Sequence, residues 1–188
     1  MTVFAPFHVR AAEPRDVAAI VELIRDLAAF EQLTHLVQVT PEKLGPQLFG
    51  ERPAAEALVV ELGHPRGDNR SDNQGDELNN ANSAGEVVAF ALFFSNFSTF
   101  LAQPGIYLED LYVKPEHLGQ RIGTALLTRL AALAVERGCG RFEWSVLDWN
   151  ANAIRFYEAK GATVMPEWRI CRVAGEPLAE LARSAAAA

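Results

Sequence analysis

Cysteine is scarce in this chain: Cys139 and Cys171 are the only two among 188 residues. They lie far apart and lack CxxC spacing, which excludes both a zinc site and a disulfide framework. Both are read as reduced, small, buried side chains, and so as a sign of a reducing compartment. The histidines His8, His35, His64 and His117 show neither HExxH nor any paired ligand spacing, so no metal is implied. No window approaches the 18 uncharged apolar residues of a membrane span. The opening MTVFAPFHVRAAEPRD has no basic, apolar and cleavage regions of a signal peptide. A cytoplasmic protein that does not enter the membrane is expected. Basic residues are also short, 17 Lys and Arg against 24 Asp and Glu, for a net charge of −7. That balance argues against nucleic acid as a partner. If the charge selects a ligand, the ligand is cationic. Neither G-x-x-x-x-G-K-[ST] nor a full G-x-G-x-x-G occurs.

What is present is ordinary for a folded protein: 49% apolar and 22% charged residues, at a length that suits one domain over 1–188. Residues 7–12 read as a strand. From Pro14, Val17, Ile20, Val21, Ile24, Leu27 and Ala28 recur at helical spacing to about Phe30. Thr40 as N-cap and Pro41 at the first helical position open a second, short helix. Strands follow at 57–62, 86–94 and 105–113. A helix spans Gly119 to Arg137, with Gly138 just beyond it. A strand at 141–147, a helix from Asn150 to Lys160, a last strand at 168–173 and an Ala-rich helix at 176–187 complete the chain. Three successive strands followed by strand–helix units predict a mixed α/β sheet. Residues 63–85 are rich in Asn, Asp, Gly and Ser and hold a single Leu. They read as a flexible polar insertion between two strands.

Chemistry concentrates in LEDLYVKPEHLGQRIGTALL, 108–127. A strand ends at Val113, a short loop contains Gly119, and a helix begins around Arg121 with Gly123 in its first turn. Glycine allows close backbone approach, and open N–H groups at a helix start bind phosphate oxygens. Adjacent Glu109 and Asp110 should point to opposite faces of their strand. Each residue also has a plainer reading: Glu31 as surface charge at a helix end, Tyr157 as core, and Trp144, Trp149 and Trp168 as packing.

This pattern resembles the GNAT superfamily of acetyl-CoA-dependent N-acetyltransferases, and the match covers nearly the whole chain. YLEDLYV (107–113), VLDWN (146–150), FYEAKGA (156–162) and AAFEQL (28–33) look like its spermidine/spermine or diamine acetyltransferase branch, and within it the thialysine acetyltransferase-like group. Leu118 stands where the family usually has Arg or Gln, and Arg121 where it usually has Gly. The resemblance implies a central, mostly antiparallel twisted sheet flanked by helices, acetyl-CoA as co-substrate and no metal. It also implies a small-molecule amine as partner, and a homodimer. It places Leu111, Tyr112 and Val113 along the pantetheine arm, with the backbone of Leu111 and Val113 bonding it. Gly119, Gln120, Arg121, Ile122, Gly123 and Thr124 would cradle the pyrophosphate, with Asn150 and Ala153 further along. Tyr157 would protonate the departing thiolate, and Glu109 would help deprotonate the amine. Glu31, Asp110, Glu143, Glu167 and Trp168 fall where the branch places substrate residues. The implied reaction is acetyl transfer to a primary amine of a polyamine, diamine or lysine-like amino acid. Transfer to another amine, such as an amino sugar or a protein N-terminus, and a non-catalytic acetyl-CoA-binding module remain as alternatives.

Overall fold

The apolar stripe of the first helix needs a sheet to cover, and the computed structural model, which describes residues 5–63 and 85–185, provides one. The chain divides into two compact units, Met1–Ser145 and Val146–Ala188. The first holds a five-stranded sheet in the order β1 (Phe7–Ala11), β2 (Glu56–Leu62), β3 (Val87–Ser98), β4 (Gln103–Val113), β5 (Arg141–Trp144). Neighbours are antiparallel except β4 and β5, which run parallel. Helix α1 (Val17–Phe30) follows a 3-10 turn at Pro14–Asp16, and α2 (Pro41–Phe49) starts at the expected cap, Thr40. Both cover one face of the sheet, where Ile20, Val21, Leu23, Leu44 and Leu48 cluster with Ala57, Val59 and Phe90. Strand alternation sends Leu58, Val60, Ala89, Ala91 and Phe93 to the opposite face, all buried. Helix α3 (Ile122–Glu136) packs on β4, β2 and β3 and buries Ile122, Leu126, Leu127 and Leu130.

One charged network ties the start of this unit together. The Arg10 guanidinium donates to both Asp16 oxygens at 2.6 and 2.8 Å and to Glu61 at 2.7 Å. Burial works against charge on Asp16 and Glu61. The hydrogen bonds and charge of Arg10, together with a backbone N–H donor to each and the nearby Arg15, outweigh it and hold both carboxyls below their ordinary range. Glu61 also accepts from the Gly85 N–H at 2.7 Å, and the Leu62 N–H donates to the Glu86 carbonyl at 2.9 Å.

The second unit holds α4 (Ala151–Glu158) and α5 (Glu176–Ser184). The strand expected at 168–173 is not formed, and Trp168, Ile170 and Val173 are exposed. A strand satisfies its backbone only beside another, and among the described residues this unit contains none. Cys171 lies in that segment and is exposed, and Cys139 is half-buried, so the expectation that both are buried fails. The strand expected at 141–147 stops at Trp144, and the helix expected from Gly119 starts at Ile122.

Most of the insertion, 64–84, lies outside the described residues. Its two ends are already joined by the Leu62–Glu86 and Glu61–Gly85 hydrogen bonds. Closure entropy rises slowly with loop length. Deleting 66–83 should therefore leave a single cooperative thermal transition. A broad, non-cooperative melt in the deletion variant would show that the segment packs.

Candidate active site

Strand β4 carries one residue too many for its partner. Leu92 lies opposite Asp110 and Phe93 opposite Leu108, so Glu109 is the unmatched residue of a bulge. The apolar phase shifts across it, from Ile106 and Leu108 to Leu111 and Val113. Glu109 and Asp110 both line one open cleft of about 350 Å³, instead of pointing to opposite faces. A bulge breaks the strict alternation on which that expectation rested.

The cleft lies at the carboxyl end of α1, where Leu27, Ala28 and Glu31 form one wall. The loop after α1 adds Leu33, Leu36, Val37 and Val39, with Gln38 as its polar member. The last carbonyls of a helix carry partial negative charge, which adds to the three carboxylates. Burial, with Glu109 and Glu31 as like-charged neighbours, pushes the Asp110 carboxyl up to about 6. Burial also raises the Glu31 carboxyl. Gln38 and Leu36 were not singled out from the sequence. Their only signal was an apolar-rich loop, EQLTHLVQV, directly after an amphipathic helix.

Beyond the cleft, β4 has an edge that β5 does not pair. The parallel ladder ends at Leu108 opposite Trp144. On the other side the Lys114 N–H donates to the Val88 carbonyl at 3.0 Å. Backbone groups alternate along a strand, so Asp110 and Tyr112 also face β3. Leu111 and Val113, opposite Ala91 and Ala89, turn their N–H and C=O groups to the unpaired edge. The Tyr112 side chain packs beside the α1 and α2 cluster, leaving its backbone and ring no part in that edge.

The chain then passes a 3-10 turn at Pro115–His117 and reaches α3 through Gly119 and Arg121, both left-handed with φ of +78 and +66. The first intrahelical bond here runs from the Ala125 N–H to the Arg121 carbonyl at 3.0 Å. The N–H groups of Ile122, Gly123 and Thr124 at the helix start thus have no partner within the helix. That array suits an anion. Gln120 turns its side-chain amide back to the Glu116 carbonyl at 3.3 Å.

Glu143 does not join the carboxylate cleft. Its carboxylate accepts from Asn96 at 2.6 Å and pairs with Arg141 at 3.1 Å. In the second unit Asn150 caps α4, its side chain accepting from the Ala153 N–H at 3.1 Å. Tyr157 lies two turns further along the same helix, its ring 5.3 Å from that of Phe156. Glu167 and Trp168 lie beyond α4, in a turn closed by the Trp168 N–H on the Met165 carbonyl at 3.3 Å. Among the described residues no group of His, Cys, Asp and Glu is arranged to hold a metal.

Comparison with known proteins gives a family. The model of the Acetyltransferase (GNAT) family matches residues 47–162. L-ornithine N5-acetyltransferase of Arabidopsis thaliana is 37% identical, over 91% of this chain and 86% of that protein. Thialysine N-epsilon-acetyltransferase of Mus musculus is 35% identical, over 95% of this chain and 98% of its own length. Among solved structures, an integron cassette protein of V. cholerae superposes with a TM-score of 0.70 at 20% identity, covering 94% and 98% of the two chains. A likeness at that identity speaks for the fold alone.

Arg121 offers a direct check on the helix start. A left-handed conformation costs an L side chain about 1–2 kcal/mol that glycine avoids, and glycine's greater freedom when unfolded returns part of it. Arg121→Gly should raise the melting temperature by about 2–4 °C. A lower melting temperature would show that the arginine side chain makes contacts worth more than the strain.

Proposed function

The chain belongs to the acetyltransferase (GNAT) family, and from that premise we propose that it moves an acetyl group from acetyl-CoA to a primary amine of a polyamine, diamine or lysine-like amino acid. The observation that carries this reading is the bulge at Glu109, which sets a carboxylate-lined cleft at the head of an unpaired strand edge. The edge groups of Leu111 and Val113 match the amide-bearing arm of acetyl-CoA. The N–H array of Ile122, Gly123 and Thr124 matches its pyrophosphate. Acetyl-CoA supplies the activated acetyl thioester.

The residues divide the remaining work. An alkylamine titrates near ~10.4, so a site working at neutral pH must remove a proton before attack. The cleft carboxylates hold the ammonium and take that proton. The nitrogen lone pair then forms the new C–N bond as the C–S bond breaks. An edge N–H of β4 stabilises charge on the carbonyl oxygen. Tyr157 gives its phenolic proton to the leaving sulfur, and the second proton that the nitrogen sheds on becoming an amide passes through solvent to restore the phenol.

A cation is the expected acceptor because three carboxylates and the end of α1 meet at the cleft. Relatives named for ornithine and thialysine N-acetylation point to side-chain amines of the same kind. The same reading carries a cytoplasmic homodimer. Two unpaired thiols suit the compartment, and exposed Phe97, Phe100 and Leu101 at the turn between β3 and β4 suit self-association.

Thiol release with a panel of amines tests the activity. Diamines and lysine-like amino acids should turn over fastest, and a preference for neutral or anionic acceptors would overturn the reading. Gly123→Val should weaken acetyl-CoA binding strongly in calorimetry, since a branched side chain would crowd the pyrophosphate. Unchanged affinity would remove the cradle. Tyr157→Phe should bind acetyl-CoA nearly as the parent does while turnover falls about 10²–10⁴-fold. Turnover within a few-fold, with chemistry limiting the rate, would make Tyr157 a packing residue.

A further inference from the structure

Resting on the acceptor-amine reading above, we propose that Arg141 and Glu143 form a second subsite beside the carboxylate cleft. It holds the carboxylate and ammonium of an α-amino acid whose side-chain amine enters the cleft. The sheet register places the pair there. Leu92 packs against the α1 and α2 cluster, so Phe94 and Asn96 follow it on that face of β3. They lie opposite Tyr107 and Gly105 of β4, which in turn lie opposite Glu143 and Arg141 of β5. Asp110 is opposite Leu92, so the row of Phe94, Tyr107 and Glu143 runs about 7 Å from it along the sheet. An ornithine- or lysine-like side chain puts four or five bonds of about 1.5 Å between its amine and its α-carbon, a reach of about 5–6 Å. One such molecule therefore spans the cleft and this row. Between them the Tyr107 ring, stacked on Phe94 at 5.2 Å, gives the methylenes an apolar floor, and its hydroxyl is paired with Ser145 at 2.7 Å.

Each charged side chain is held at one atom and open at another. Glu143 Oε1 accepts from Asn96 at 2.6 Å and lies 3.1 Å from Arg141 Nη2. Nη2 also donates to the Phe97 carbonyl at 3.3 Å. Among the described residues, Glu143 Oε2 and Arg141 Nη1 have no hydrogen-bond partner. The Arg141 and Glu143 side chains keep 37% and 39% of their surface exposed, so a ligand reaches both. An open anionic acceptor beside an open cationic donor complements a zwitterion: Oε2 takes the α-ammonium and Nη1 the α-carboxylate. Stability alone does not account for the set. Ion pairs this exposed contribute little to a fold. The Asn96 side-chain oxygen and Arg141 Nε are moreover buried without a partner, which a purely structural network would satisfy. Gly105 makes the arrangement possible, since a Cβ there would collide with the Asn96 oxygen and the Arg141 chain. A simple diamine fits less well, because its second ammonium would meet the Arg141 cation.

The test compares ornithine with 1,4-diaminobutane, which has the same chain and reacting amine but no carboxylate. With acetyl-CoA saturating, kcat/KM of the parent should favour ornithine about tenfold or more, and the product should carry its acetyl group on the side-chain nitrogen. Ornithine methyl ester, whose carboxylate charge is masked, should lose that advantage. Arg141→Ala should raise KM for ornithine about tenfold and lower KM for 1,4-diaminobutane, because a like charge is removed from the latter. Arg141→Lys, which keeps the charge, should retain part of the preference for ornithine. Glu143→Gln should raise KM for both, since each offers it an ammonium. An equal loss towards both acceptors in Arg141→Ala would make the pair structural and overturn the inference. If Arg141→Ala does not fold, the parent decides: equal or better turnover of 1,4-diaminobutane, or of the ester, overturns the subsite and leaves amine acetylation standing. Absence of acetylation of every amine overturns both.

Discussion

Glu109 has no counterpart on β3, and the arrangement of the site follows from that single mismatch. A regular strand would alternate through this point and bury one carboxylate of the Glu109–Asp110 pair among the apolar residues facing α3. The extra residue resets the phase, so Leu111 and Val113 keep the apolar face supplied while both acids line the cleft. The parallel ladder to β5 stops just before the bulge. The residues after it therefore present alternate backbone groups at an edge that no strand among the described residues pairs. Cleft, edge and helix start follow one another along one short piece of chain.

Carboxylates are housed in two contrasting ways in this unit. Asp16 and Glu61 share one guanidinium, accept backbone N–H groups as well, and stay charged despite burial. Breaking such a set by removing the cation is expensive, on the order of 3–5 kcal/mol, because the carboxylates would be left buried and unpaired. Among the described residues that line the cleft, Glu31, Glu109 and Asp110 have no such cation beside them. Their repulsion is a stability cost confined to the cleft, and a cationic ligand relieves it. The contrast sets the paired carboxylates of the scaffold apart from those of the proposed acceptor cleft.

Much of this was legible in the residues. Helical spacing from Val17 to Ala28 and the Thr40-Pro41 start located α1 and α2, and LEDLYVKPEHLGQRIG located the strand, loop and helix start. The shift from Ile106 and Leu108 to Leu111 and Val113 also announced the bulge, but strict alternation hid it, since one residue of slippage reverses every facing. The segment 168–173 failed for the opposite reason. Its pattern suits a strand, yet a pattern cannot provide a neighbour to pair with. Arg141, two residues before Glu143 on the same strand, was a local sign that this carboxylate is paired, whereas its bond from Asn96 comes from a distant part of the chain.

The register also orders assembly. Leu58 meets Ala11 only after both intervening helices have been made, and Gly105 meets Arg141 only after α3. Ser98, by contrast, meets Gln103 across a tight turn. The β3–β4 hairpin therefore closes the smallest loop in the sheet and loses the least chain entropy in doing so. A chain emerging from a ribosome can pair these two strands before β5 exists. The offset at Glu109 belongs to the earliest pairing available, so later strands dock against an edge whose register is already set.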